Sequence, residues 1–166
     1  MKPKHIIQIL LPLLVLSCVK DGKGERLREG EPLPVFSVTT LNGTRFTTED
    51  LAGKPSAVIL FDTRCPDCHR QLPELEKAWL DLGNEISVIA IAREEGEDAV
   101  RDHWKTAGYT MPVAAPGNRT IYELFDRHSG SGVPQLYLAD PSGTVIGYAD
   151  DSKVMTSDKI TSILHQ

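Results

Sequence analysis

Five apolar residues in a row, Ala57-Val58-Ile59-Leu60-Phe61, run into Asp62-Thr63-Arg64 and then into Cys65-Pro66-Asp67-Cys68. A short unbroken apolar run reads as a strand buried on both faces, because a strand with one wet face alternates. Beyond the cysteines, Leu72, Leu75, Trp79 and Leu82 recur at spacings of three and four. That periodicity predicts a helix from about Pro66 to Leu82 with one apolar face. Pro66 falls in its first turn, where proline is tolerated, while Pro73 is interior and is expected to kink it. Gly83-Asn84 is the stop signal. A buried strand, a tight turn and a helix in this order demand a sheet covered on both faces. They also place two cysteines on the first turn of the helix.

The rest of the chain supplies the other layers. Val35 to Val38 alternates like a strand, Asn42-Gly43 turns it, and Arg45-Phe46 starts the return, so a β-hairpin is expected before the buried strand. Thr47 or Thr48 caps a short helical turn over Glu49-Asp50-Leu51. Ile86–Ala92 is a second buried strand, Glu97–Ala107 a helix ended by Gly108, Met111–Ala114 a short strand, and Arg119–Arg127 a helix capped by Asn118. Leu136–Ala139 and Val145–Ala149 form a hairpin about Asp140-Pro141-Ser142-Gly143, and Thr156–Leu164 is a last helix. The fold class is therefore α/β, with a mixed central sheet between helical layers.

A cysteine pair at a helix N-terminus has a definite chemistry. Unpaired N–H groups and the positive end of the helix dipole favour a thiolate there. The first cysteine is at the exposed tip and the second lies deeper. Cys65 is thus the candidate nucleophile toward a disulfide, and Cys68 the thiol that resolves the mixed disulfide. Asp67, an anion beside both sulfurs, disfavours the thiolate and biases the pair toward the reducing side; Arg64 and His69 oppose it. A zinc site would need a second Cys or His pair at ligand spacing, which is missing. No cofactor or metal is expected.

The chain has 166 residues and a net charge of −5, without a Lys/Arg-rich block, so nucleic-acid binding has no footprint. Lys2 and Lys4 precede an apolar stretch from Ile6 to Leu16, too short to span a membrane and suited to a secretory signal. It ends Val15-Leu16-Ser17-Cys18, which resembles the lipobox of bacterial lipoproteins. That resemblance implies a signal peptide over 1–17, lipidation of Cys18 and a membrane held through the lipid. The glycines and charges that follow predict a flexible tether over 18–31 and a domain over 32–166.

From about Pro34 to Gly147 the chain resembles the TlpA/ResA-like branch of the thioredoxin superfamily, which neighbours the peroxiredoxins. Three landmarks carry the resemblance: the run from Ala57 through Cys68, the segment Gly132-Val133-Pro134-Gln135-Leu136-Tyr137-Leu138, and the turn Asp140-Pro141-Ser142-Gly143. It implies a thioredoxin-like three-layer α/β/α fold with an N-terminal β-hairpin and a central insertion from about Glu94 to Arg127. It also implies an envelope location, disulfide-containing envelope proteins as substrates, apocytochrome c among them, and a membrane-bound electron donor. Pro134 then corresponds to a cis-proline packed against Cys65, with the backbone at Val133 pairing with substrate like a strand. The chain departs from the pattern at Arg64, where the family has Trp, at Gln71, where many members have a proton-shuttling Glu, at Ile59, where plain thioredoxins have a buried Asp, and at Gln135, where Thr is usual. The usual buried carboxylates are missing, which touches proton transfer rather than thiol exchange.

Two other functions stay open at this point. Cys65-Pro66-Asp67-Cys68-His69 also spells a c-type haem attachment string, with His69 as axial ligand and Met111 as a possible second. The chain could instead be a binding module with idle cysteines. A peroxidatic site would place Pro and Thr where Val58 and Asp62 stand, so peroxidase activity is disfavoured. The run Arg93 to Asp98 is expected to be solvated, and His103 and His128 to lie on the surface.

Overall fold

A computed structural model describes residues 26–126 and 132–166. Among the described residues seven strands and four α-helices follow the chain: β1 (Ser37–Thr39), β2 (Arg45–Thr47), β3 (Ser56–Phe61), α1 (Pro66–Leu82), β4 (Ser87–Ala92), α2 (Glu97–Ala107), β5 (Val113–Ala114), α3 (Thr120–Phe125), β6 (Gln135–Ala139), β7 (Val145–Ala149) and α4 (Ser157–Leu164). The main sheet has the order β5-β4-β3-β6-β7. β4 runs parallel to both β3 and β5, while β6 is antiparallel to β3 and β7. β3 is central, and all six of its residues are buried.

Side-chain alternation sorts the helices into two layers. Leu138 and Gly147 are cross-strand partners, and a Cβ on Gly147 would press on Ile163 of α4. Phe61 packs on Trp104 of α2 at 5.0 Å, and α1 touches α2 through the stacked rings of His69 and His103. α1, α2 and α4 therefore share one face. The alternate residue Tyr137 points to the other face, where it meets Phe125 of α3, which in turn meets Phe36 ahead of the hairpin. This is the thioredoxin-like three-layer α/β/α arrangement.

Local signals set most boundaries. Thr156 caps α4 by accepting from the Lys159 amide, and Gly108 ends α2 in the left-handed region at φ 72°. α1 runs unbroken through Pro73. Some expected bounds shift. β1 begins at Ser37, because Val35 is 79 % exposed and pairs with nothing in the hairpin. β5 shrinks to two residues, Val113 and Ala114. α3 covers Thr120–Phe125, with Asn118 accepting from the Thr120 amide one step before the helix; Arg127 and His128 lie outside the described residues.

The expected tether also ends earlier than Glu31. Leu27 N–H donates to the Phe125 carbonyl, and Gly30 and Glu31 exchange hydrogen bonds with Val145. Residues 26–31 are thus bonded to the end of α3 and to the start of β7, although their glycines and charges suggest a loose chain. Leu41 N–H likewise donates to Val113 and covers β5. Segments that precede β3 thus bond to both edge strands, at Val113 and Val145, which shields part of the exposed backbone that invites aggregation.

Glu76 of α1 ties the helix to the segment before β5. It is 7 % exposed and accepts from the Thr110 N–H, the Thr110 hydroxyl and the Met111 N–H at 2.7 to 3.1 Å. Glu76→Ala should lower the free energy of unfolding by about 2–3 kcal/mol, the cost of leaving buried donors unpaired. Urea denaturation measures it, and Glu76→Gln, which keeps one acceptor, should lose less.

Candidate active site

Cys65 is the N-cap residue of α1, with extended backbone, and Pro66 follows at the first helical position. This puts the Cys65 sulfur over the open N–H groups of the first turn, where the Cys68 N–H points at it from 3.4 Å. On the other side the Cys65 thiol donates to the Val133 carbonyl at 3.1 Å. The Val133–Pro134 peptide bond is cis. Sequence-distant residues 65 and 133 therefore meet at one point, at the end of β3 and the beginning of β6.

The two thiols differ in environment. Cys65 is partly exposed, while Cys68 is fully buried. Burial pushes the Cys68 thiol far above the usual range, and the neighbouring Cys65 sulfur adds to that, with a smaller contribution from the Asp62 charge; a hydrogen bond with the Asp62 backbone works in the opposite sense. One sulfur is thus placed to meet a partner, and the other is held as a neutral thiol beneath it.

The structure places a charged cluster where the sequence suggested only a strand end. Asp62 is 4 % exposed and accepts from the Arg64 amide, the Arg64 guanidinium and Arg93. Burial alone would raise its carboxyl, but the hydrogen bonds from Arg64 and the charges of Arg64 and Arg93 hold it below the usual carboxylate range. Glu95 accepts from the Thr63 N–H at 2.6 Å and from its hydroxyl, and lies 3.8 Å from Arg64. Its side chain is only 8 % exposed, so the expectation of a solvated acidic run fails at this residue. It clamps the turn between β3 and Cys65.

The expected modulating residues are distributed as follows. Asp67 is ion-paired with Arg70, and Arg64 is turned toward Asp62 and Glu95, so neither charge acts alone on the sulfurs. The bias toward reduction read from Asp67 is correspondingly weakened. Gln71 is fully buried and exchanges two hydrogen bonds with the Met155 backbone, tying α1 to the loop before α4. His69 binds the Thr63 carbonyl through Nε2 at 2.6 Å and stacks on His103. His103 is not a plain surface residue: its Nε2 is enclosed without a hydrogen-bond partner, and burial, with His69 beside it, lowers its basicity. This geometry does not suit haem attachment, since Cys68 has no accessible sulfur and the His69 nitrogen is committed. Among the described residues no group of three or more His, Cys, Asp or Glu could hold a metal ion.

The family model for AhpC/TSA matches residues 30–147. The chain belongs to the AhpC/TSA family. Among curated relatives, thiol-disulfide oxidoreductase ResA of Bacillus subtilis (strain 168) is 28 % identical, over 92 % of this chain and 86 % of its own length. ResA of Bacillus cereus (strain ZK / E33L) is 30 % identical, over 74 % and 69 %. Among solved structures, a thiol:disulfide interchange protein of the thioredoxin family from Chlorobium tepidum TLS superposes with a TM-score of 0.70 at 25 % identity, covering 85 % of this chain and 97 % of that one. A secreted Mycobacterium tuberculosis disulfide oxidoreductase homologous to E. coli DsbE shares the fold, with a TM-score of 0.68 at 18 % identity over 78 % and 94 %. The chain is a TlpA/ResA-like thiol–disulfide oxidoreductase.

The thiols should behave unequally. Because burial holds Cys68 protonated well above the usual cysteine value of about 8.5, iodoacetamide at pH 8 should label Cys65 and spare Cys68 until the chain is unfolded. Mass spectrometry of the labelled protein reads this. Labelling of Cys68 in the folded state at that pH would contradict it.

Proposed function

We propose that the protein is a lipid-anchored, extracytoplasmic reductase of disulfides in envelope proteins, working through the Cys65-Pro66-Asp67-Cys68 dithiol. The observation that carries this reading is the unequal pair itself: one accessible thiol on a helix N-terminus against the Val133 carbonyl, and one buried thiol a turn away. The Cys65 thiolate attacks one sulfur of a substrate disulfide, and the other substrate sulfur leaves as a thiolate and takes up a proton. Cys68 then loses its proton, and its sulfur attacks the Cys65 sulfur. The S–S bond to substrate breaks, the second substrate thiolate departs, and Cys65 and Cys68 are left as a disulfide. Two electrons have passed to the substrate, and a dithiol donor at the membrane restores the pair.

The Val133 and Pro134 backbone is the docking edge in this scheme. A substrate segment lying extended across Val133 would bring its sulfur to the position the Val133 carbonyl now marks for Cys65. The resemblance to ResA supports the reducing direction and the envelope location. The Val15-Leu16-Ser17-Cys18 pattern supports the anchor, and among the described residues no helix is long and apolar enough to cross a membrane.

Cys65→Ser should abolish insulin reduction. Cys68→Ser should still attack and should accumulate mixed disulfides with its substrates in cells, visible on non-reducing gels. Capture by the Cys65 variant and none by the Cys68 variant would overturn the assignment. In a bacterial host Cys18→Ser should release the protein from membrane fractions or leave the precursor uncleaved; normal cleavage with continued membrane retention would count against the anchor.

A further inference from the structure

Gln135 stands directly after Pro134, where the family pattern has threonine, and it is 1 % exposed. Both ends of its side-chain amide are used. Nε2 lies 3.0 Å from the Gly132 carbonyl, 3.0 Å from an Asp126 carboxylate oxygen and 3.2 Å from the Tyr122 hydroxyl. Oε1 accepts from the Tyr137 hydroxyl at 2.8 Å. Tyr122 also donates to Asp126 at 2.9 Å, and Asp126 is fully buried. The guanidinium groups of Arg93 and Arg119 lie over the Tyr122 ring at 6.0 and 4.8 Å.

None of these groups is bonded to the reacting sulfurs. Gln135 Nε2 and the Tyr122 hydroxyl both reach the Gly132 carbonyl, at 3.0 and 3.5 Å, and the next residue, Val133, carries the carbonyl that accepts from Cys65. We propose that Gln135, braced by Asp126, Tyr122 and Tyr137, is a positioning residue. It fixes the 132–133 backbone relative to Cys65 and so determines how well an extended segment of a disulfide-bearing protein is received. The inference rests on the reading of Val133 as the docking edge.

The chemistry of the brace explains why glutamine is required. Its two N–H groups span the bend and meet oxygens on both sides, whereas a threonine hydroxyl is two atoms shorter. Buried polar groups with complete partners are rigid, and a missing partner is costly in a low-dielectric site. Tyr122 and Asp126 belong to the central insertion, at α3 and the residue after it. The insertion thereby carries the far wall of the brace. A small disulfide needs only the sulfur of Cys65, but a protein segment needs the edge held in place, so the two classes of substrate should respond differently.

The test uses the purified protein with insulin, turned over by dithiothreitol, and with 5,5′-dithiobis(2-nitrobenzoate). Gln135→Leu should raise KM for insulin about tenfold with kcat changed less than about twofold, equivalent to about 1.4 kcal/mol. The rate constant with the small disulfide should stay within about twofold. Asp126→Asn, whose amide oxygen still accepts, should keep most insulin activity, and Asp126→Ala should not. If Gln135→Leu fails to fold, Tyr137→Phe removes one contact of the brace and carries the same comparison. Equal losses with both disulfides, or no change with either, would overturn the proposal. The docking reading itself is tested separately, by deuterium exchange of the Val133 amide in a mixed disulfide between Cys68→Ser and an insulin chain. An amide as unprotected as in the free protein would defeat that reading, whatever Gln135→Leu does.

Discussion

β3 is hydrogen-bonded to β4 on one side and β6 on the other and is covered on both faces. A strand enclosed in this way has no direction in which to adjust. Everything chemical in the protein is measured from its end. Four residues after Phe61 the chain caps α1 with Cys65, and the first residue of β6, the antiparallel neighbour of β3, follows Pro134. The contact between the Cys65 thiol and the Val133 carbonyl is therefore a consequence of strand pairing. Two loops are held at the ends of adjacent strands, and neither needs to be rigid by its own sequence.

The loops are nonetheless reinforced, by buried carboxylates whose partners are donors rather than water. Asp62 takes two arginines and an amide, Glu95 takes Thr63, Glu76 takes Thr110 and Met111, and Asp126 takes Gln135 and Tyr122. A carboxylate is costly to bury, and it stays charged only where such donors replace its hydration. Asp62 and Glu95 lock the turn before Cys65, Glu76 joins α1 to the segment before β5, and Asp126 joins the end of α3 to β6. The usual family carboxylates are missing from positions 59 and 71, yet the site has acidic groups around it. They are used to hold backbone, and the one beside the sulfurs, Asp62, is kept ionised by its arginines.

Periodic and punctuating signals were legible in the sequence. The apolar run of β3, the three-and-four spacing of α1, Gly108 after α2 and the Asp140–Gly143 turn all act within a few residues, so pattern reveals them. The dithiol and its position on a helix tip were legible for the same reason. What escaped was contact at long range. Nothing local distinguishes Glu95 from the acids around it, and only the fold brings it against Thr63. Gln135 was visible as a departure at a known landmark, but its bonds to Asp126 and Tyr122 depend on α3 packing under β6. The pairing of residues 26–31 with Phe125 and Val145 was hidden by their composition, since backbone hydrogen bonds leave no mark on residue choice.

That last pairing decides how the domain is held. Arg26, the first of the described residues, bonds to Tyr148 and Asp150 at the end of β7 and lies across from Asp126. Asp126 is one side chain away from the Gly132 and Val133 backbone. Arg26 thus lies at the same end of the sheet as the dithiol, rather than at the opposite pole. A substrate that reaches the Cys65 sulfur would therefore approach the end of the sheet at which Arg26 lies.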